Sequence, residues 1–233
     1  MRASADKKNV DRPDCHKIDL DHWERREHYR YYTEQLRIEF SLTASLDVTA
    51  FLNRCHERNV RFYPSLIYCA AKVLNEMENF KMFRDKNGDL CCWETIHPNY
   101  TIFHEDDHTF SDCWTGYSPD FSTFYKEICA DMERFKDVKG IKARPGQPVN
   151  FFCISCVPWV SFSGYSSRTA NGEPNFFPVL TAGKYQQSGS ETRMPLNLTI
   201  AHAVCDGYHA GMFFERLQQL DGFSADESDL AVQ

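Results

Sequence analysis

Apolar and polar positions alternate along this chain with two periods, and each switch between them marks a change from strand to helix. Trp23 to Leu36 reads as a charge-rich helix, and Ile38 to Val48 then alternates as a strand with Phe40, Leu42 and Leu46 on one face. Pro64 stands near the first turn of a helix running to about Glu78, where its missing N–H costs nothing. Asn87-Gly88 is a hairpin turn between Lys81–Asp85 and Leu90–Ile96, and further strands cover Tyr100–His104 and Thr109–Trp114. Ser118-Pro119-Asp120 opens a long amphipathic helix ending near Val138, with Phe121, Phe124, Ile128, Met132 and Phe135 on one stripe. Alternation returns over Asn150–Cys156, Val179–Gln187 and Met194–Ala201, and a last helix runs from about Gly207 to Leu220. Strands interleaved with a few amphipathic helices imply an α/β sandwich.

With 233 residues, 42% of them hydrophobic and 14% aromatic, the chain can bury one large core. No Pro-, Gly- or Ser-rich linker divides it. The expected division is a loose extension over 1–15, one domain over 16–222 and a flexible tail over 223–233. A net charge of −7 disfavours unspecific attraction to nucleic acid or an anionic membrane, while leaving room for a local basic site. No apolar run approaches the roughly 20 residues of a membrane helix, and no signal peptide precedes the ten cysteines. A cytoplasmic protein with reduced, mostly buried thiols is the expectation.

The candidate chemistry sits in His202-Ala203-Val204-Cys205-Asp206-Gly207, where an alternating strand gives way to a helix. A rigid strand end can hold an imidazole, and a side chain with an ordinary pKa of about 6.5 accepts a proton at neutral pH. His202 is therefore the candidate general base, one ring nitrogen facing a substrate hydroxyl and the other fixed by a hydrogen bond. Asp206 is placed either to brace the turn or to orient the ring. Cys205 alternates away from His202 and is expected to pack internally.

Four further blocks accompany this motif: His16 to Tyr29, Phe62-Tyr63-Pro64, Ile154-Ser155 with Pro158 to Phe162, and Phe177 to Tyr185. In order and spacing, from about Ile18 to about Leu220, the chain resembles the trimeric, HxxxDG-containing chloramphenicol acetyltransferases. That resemblance implies a CoA-dependent acyltransferase-like two-layer sandwich with a mixed β-sheet and several packed helices. It implies acetyl transfer from acetyl-CoA to a hydroxyl of chloramphenicol or a similar small acceptor, in a homotrimer with active sites between subunits. Within such a site Ser155 donates to the tetrahedral oxyanion, Thr181 assists through a water, and Asp206 forms a structural ion pair with Arg25. Arg61, Tyr63, Lys184 and Tyr185 fall where the family meets the cofactor. Tyr31, Tyr32, Leu36, Phe40, Phe110, Asp112 and Ser167 fall in the acceptor pocket.

Five positions depart from the drug-acetylating relatives. Asp112 replaces a small neutral residue, Ser167 an aliphatic one and Ile38 a small one, which puts the acceptor in question. Arg61 stands where lysine is frequent, and Ala201 where a first histidine often precedes the catalytic one. A competing enzyme reading is transfer to another alcohol or amine, or to a dihydrolipoyl thiol, although no lipoyl domain or Ala/Pro linker is present. A non-catalytic metal-binding reading rests on Cys91-Cys92 and the pair His104 and His108. Adjacent cysteines in a strand face opposite ways, so no metal site is expected.

Overall fold

The computed structural model describes residues 13–169 and 172–220. Its elements follow the alternation closely in the second half of the chain. Ten strands are distributed over two sheets. The small sheet joins β1 (Cys15–Lys17), β4 (Leu90–Trp93) and β3 (Met82–Arg84) in that order, with β3 and β4 forming the expected hairpin. Gly88 in its turn has φ 85°, a conformation that a side chain disfavours. The large sheet runs β2 (Glu39–Asp47), β10 (Glu191–Ala201), β8 (Val179–Gly183), β7 (Phe151–Val157), β5 (His97–His104) and β6 (Thr109–Trp114), and β9 (Gln186–Ser188) adds to β10. The β5–β7 and β7–β8 pairings are parallel and the others antiparallel, so the sheet is mixed as expected.

Alternation gives this sheet two unlike faces. Tyr100, Phe152, Ile154, Leu180, Leu196, Leu198 and Ile200 are fully buried on one of them. The helices α3 (Phe62–Glu76), α4 (Phe121–Phe135) and α5 (Gly207–Gln219) complete that core. Burying one such aliphatic side chain contributes about 1.5–3 kcal/mol, and these elements bury dozens. The α4 helix starts as predicted, its N-cap Asp120 accepting from the Thr123 amide, and buries Phe121, Phe124 and Ile128.

Across the other face runs a row of polar register partners: Thr43 on β2, Asn197 on β10, Thr181 on β8 and Ser155 on β7. Asn197 and Thr181 are buried there, Asn197 donating to the Tyr165 carbonyl of the irregular segment 158–169. That segment closes down on Gly183, where a side chain would collide with the Phe162 ring and Pro195.

Several local expectations need correction. The helix read over Trp23–Leu36 is only α1 (Arg26–Arg30), continued by a wider π-helical turn over Tyr31–Gln35. A short helix α2 (Thr49–Glu57) follows β2 where none was expected. The strand read over Val179–Gln187 breaks after Gly183, because the Lys184 amide leaves the ladder to bond Val160. Cys15, the last residue of the expected extension, pairs with Trp93 in β1. Residues 1–12 of that extension and the whole expected tail over 223–233 lie outside the described residues. All ten cysteines are free thiols, six of them buried.

Candidate active site

His202 follows the last residue of β10, and its amide extends the β2–β10 ladder by one bond to the Ile38 carbonyl at 3.0 Å. The imidazole lies flat against Tyr32, with centroids 4.0 Å apart and planes 9° from parallel. Phe40 closes a second side at 5.1 Å, and Tyr31 packs edge-on against Tyr32. The π-helical turn thus presents two adjacent tyrosines at the end of a strand, a use typical of such turns near functional sites. Leu36 lies just beyond it and is exposed. The expected hydrogen bond to the second ring nitrogen is absent among the described residues: Nδ1 is buried without a partner. Aromatic stacking, together with the backbone bond, fixes the ring instead.

Behind the histidine, Asp206 is the N-cap of α5 and accepts from the Tyr208 and His209 amides. Its Oδ2 pairs with Arg25 Nη1, and its Oδ1 lies 2.8 Å from His209 Nδ1. Arg25 also donates to the His202 carbonyl at 3.4 Å, tying the α1 entry to the strand end. Burial alone would raise the Asp206 pKa; the His209 hydrogen bond and the Arg25 charge outweigh it and lower the carboxyl to about 2. Asp206 therefore stays ionised and braces the turn rather than touching the imidazole. The partner His209 was readable as the fourth residue of a capping box D-x-x-H but was missed. Cys205 is buried and burial pushes its thiol far above the ordinary range, so it is inert.

Ser155 and Thr181 are opposite one another on β7 and β8, well away from His202. Thr181 is the register partner of Asn197, five residues before His202 along β10. The strand rise and two inter-strand spacings put Ser155 and His202 about 19 Å apart at Cα. A base and an oxyanion donor serving one tetrahedral centre must each lie about 3 Å from it. The two halves of the expected site are thus not completed within one chain.

The β5–β7 pairing ends at Tyr100 and Ile154, just before Ser155, while each strand continues with its other neighbour. Tyr63, in the first turn of α3, reaches this point and donates its hydroxyl to the Ile154 carbonyl at 3.1 Å. Burial pushes its phenol pKa up strongly, so the hydroxyl remains a donor. Beside it, Arg61 and Tyr185 are exposed, both next to Phe62; the Phe62 and Tyr185 rings are 5.8 Å apart. The Arg61 amide donates to the Tyr125 hydroxyl, and contact with Cys129 raises the guanidinium pKa further. Lys184 is also exposed. Cations and an aromatic face around one helix start suit a phosphorylated adenine-bearing molecule.

The acceptor candidates divide between the two regions. Tyr31, Tyr32, Leu36 and Phe40 surround or adjoin His202, whereas Phe110 and Asp112 lie on β6 and Ser167 in the 158–169 segment. Phe110 is half exposed opposite Phe103, which packs against Trp159 at 4.8 Å. The carboxylate of Asp112 is paired with Lys142 at 2.8 Å, a partner that sequence reading missed. Among the described residues no group of three or more His, Cys, Asp or Glu side chains converges as a metal site, and no helix is long and apolar enough to cross a membrane. His104 is instead spent on Ser111 at 2.7 Å.

Comparison with known proteins places this geometry in context. The family model for chloramphenicol acetyltransferase matches residues 14–218. Chloramphenicol acetyltransferase 2 of Haemophilus influenzae is 37% identical, over 88% of this chain and 95% of its own. A chloramphenicol acetyltransferase of Clostridium butyricum is 35% identical, over 87% of this chain and 93% of its own. In fold, a solved chloramphenicol acetyltransferase superposes with TM-score 0.80 at 22% identity, covering 91% of this chain and all of that one. A truncated catalytic core of the 2-oxoacid dehydrogenase multienzyme complex from Thermoplasma acidophilum gives 0.60 at 16%, covering 85% and 94%. The chain belongs to the chloramphenicol acetyltransferase family, and it is an acetyltransferase.

Proposed function

We propose that this enzyme transfers the acetyl group of acetyl-CoA to a hydroxyl of chloramphenicol or a similar small acceptor, with His202 as general base. The carrying observation is an imidazole held rigidly between Tyr32 and Phe40 at a strand end, backed by the Arg25–Asp206 pair. Nε2 takes the acceptor's hydroxyl proton while the oxygen attacks the thioester carbonyl. Ser155 donates to the developing oxyanion, a contribution of about 2.7–4 kcal/mol for one such donor, and Thr181 supports it through water. The carbon–sulfur bond then breaks, and the proton on His202 goes to the departing thiolate. No acyl-enzyme forms. Arg61, Lys184 and Tyr185 would hold the phosphates and adenine of the co-substrate, and Tyr63 would line the gap between β5 and β7 through which its thioester meets Ser155.

The span of about 19 Å that strand rise and spacing set between His202 and Ser155 in one chain supports a site shared between subunits, and with the family membership it supports a homotrimer. Tyr31, Tyr32, Leu36 and Phe40 then face Phe110, Asp112 and Ser167 of the next subunit across the acceptor. A cytoplasmic setting is supported by ten free thiols, which persist in a reducing compartment.

Thiol release from acetyl-CoA, followed with chloramphenicol and with dihydrolipoamide as acceptors, tests the reading. Turnover with chloramphenicol that disappears in His202→Ala is expected. Acetylation of dihydrolipoamide but not chloramphenicol would transfer the assignment to the competing acceptor class.

A further inference from the structure

Asp112 is the most unusual charge on the polar face of the sheet. It faces Thr101 across β5–β6, and Thr101 is next in line to Ser155 where β5 and β7 part. Two inter-strand spacings put Asp112 at least about 10 Å from Ser155, on the same face. That span is comparable to the length of an arylpropanediol. Phe110, opposite Phe103 and so farther along the strands from Ser155 than Asp112 is, is exposed on the same face, so the carboxylate borders an aromatic surface about two strands away from the oxyanion donor.

The pair is built into the backbone. The Asp112 amide donates to the Ile141 carbonyl at 2.7 Å and the Ala143 amide donates to the Asp112 carbonyl at 2.9 Å, so segment 141–143 adds to the sheet as a parallel bridge. Lys142 is held opposite Asp112, its ammonium donating to Asp112 Oδ2 at 2.8 Å and to Gln147 Oε1 at 2.7 Å. Two of the three ammonium protons are used. Asp112 Oδ1 has no donor among the described residues. The open hydrogen-bonding capacity at this end of the surface is therefore mainly that of an acceptor carrying negative charge.

We infer that Asp112, fixed by Lys142, is a specificity-determining residue that selects an acceptor with a hydrogen-bond donor at the end remote from the acetylated hydroxyl. A hydroxyl, amide or amine there completes Oδ1. A nitro group offers oxygens only, and sets them beside the carboxylate. The inference rests on the acceptor reading given above and adds the chemistry of the acceptor's far end.

The test compares chloramphenicol with its analogue in which the aryl nitro group is reduced to an amine, in the intact enzyme and in two variants. The natural chain is expected to favour the amine in kcat/KM by roughly tenfold, the worth of one charge-assisted hydrogen bond. Asp112→Ala should erase the preference with the KM for acetyl-CoA unchanged. Lys142→Met, which leaves the carboxylate unpaired, should widen it, and carries the test if Asp112→Ala does not fold. Both compounds acetylated at a ratio that neither variant moves by more than twofold would overturn the inference alone. Acetylation of neither compound would overturn the acceptor reading beneath it.

Discussion

Arg25 ties the His202 backbone to the α1 entry, but the imidazole itself is held by two aromatic rings, and neither carries charge. Its fixation should therefore follow ring shape. Tyr32→Phe should leave kcat within a few-fold of the natural enzyme, while Tyr32→Ala should lower it by ten- to a hundredfold through a mobile base. Steady-state assay of both variants decides this, and equal effects would show that the hydroxyl, not the face, matters. His202→Ala should lower kcat by several orders of magnitude and Cys205→Ala should not, since that thiol is buried and neutral. Asp206 permits a sharper separation. Asn is as good an N-cap as Asp, so Asp206→Asn keeps the start of α5 and removes only the charge that faces Arg25 and His209. The pair lies between the exposed and buried limits, and its loss should cost about 1–3 kcal/mol at neutral pH. Because the folded carboxyl titrates near 2 and an unfolded one near about 3.9, this stabilisation is complete above about pH 4 and fades as pH falls through 2. Urea melts at pH 7 and pH 2 should thus differ between the two chains at the first pH and differ by much less at the second.

At the scale of elements, legibility followed the period. The strands β2 and β10 alternate apolar and polar residues, β10 with Leu196, Leu198 and Ile200 on its core-facing side, so their faces were legible in the sequence, whereas β7 is apolar almost throughout. The helix α2 was missed because Arg54 interrupts its apolar stripe; Phe51, Arg54 and Cys55 are its buried residues, and a buried arginine hides the i, i+3, i+4 spacing. A π-helical turn has no sequence period of its own, so Tyr31–Gln35 read as ordinary helix. Pairings over long separation leave no local pattern: Arg25 and Asp206, 181 residues apart, were paired only through the family resemblance, and Asp112 with Lys142, 30 apart, was not expected at all. Gly183 shows the same limit, for its need to be glycine arises only where Phe162 and Pro195 meet it. Both would lie 2.7 Å from an added Cβ. Gly183→Ala should destabilise the fold by about 1–3 kcal/mol as Phe162 and the 158–169 segment that carries it are pushed off the sheet. Chemical denaturation measures it, and an unchanged midpoint would mean that the segment yields freely.

For the whole molecule, the decisive quantity is the separation of the base from the oxyanion donor. A rigid sheet holds Ser155 and His202 about 19 Å apart in one chain, and no side-chain motion closes that span. If the site forms between neighbours around a threefold axis, each site takes His202 from one chain and Ser155 from the next. His202→Ala and Ser155→Ala chains are then separately defective but complementary. In a mixed trimer one site of three receives both intact residues. Random assembly of equal amounts makes about three-quarters of trimers mixed, so roughly a quarter of all sites are restored. Co-refolding the two variants should raise activity to about that fraction of the natural enzyme, while mixing them after assembly should leave only the residual rates of the parents. Light scattering on the same samples reports the trimer. Activity in the co-refolded sample no greater than the mean of the parents would place both residues in a site served by one chain, which the register of β7, β8 and β10 does not allow without rebuilding the sheet.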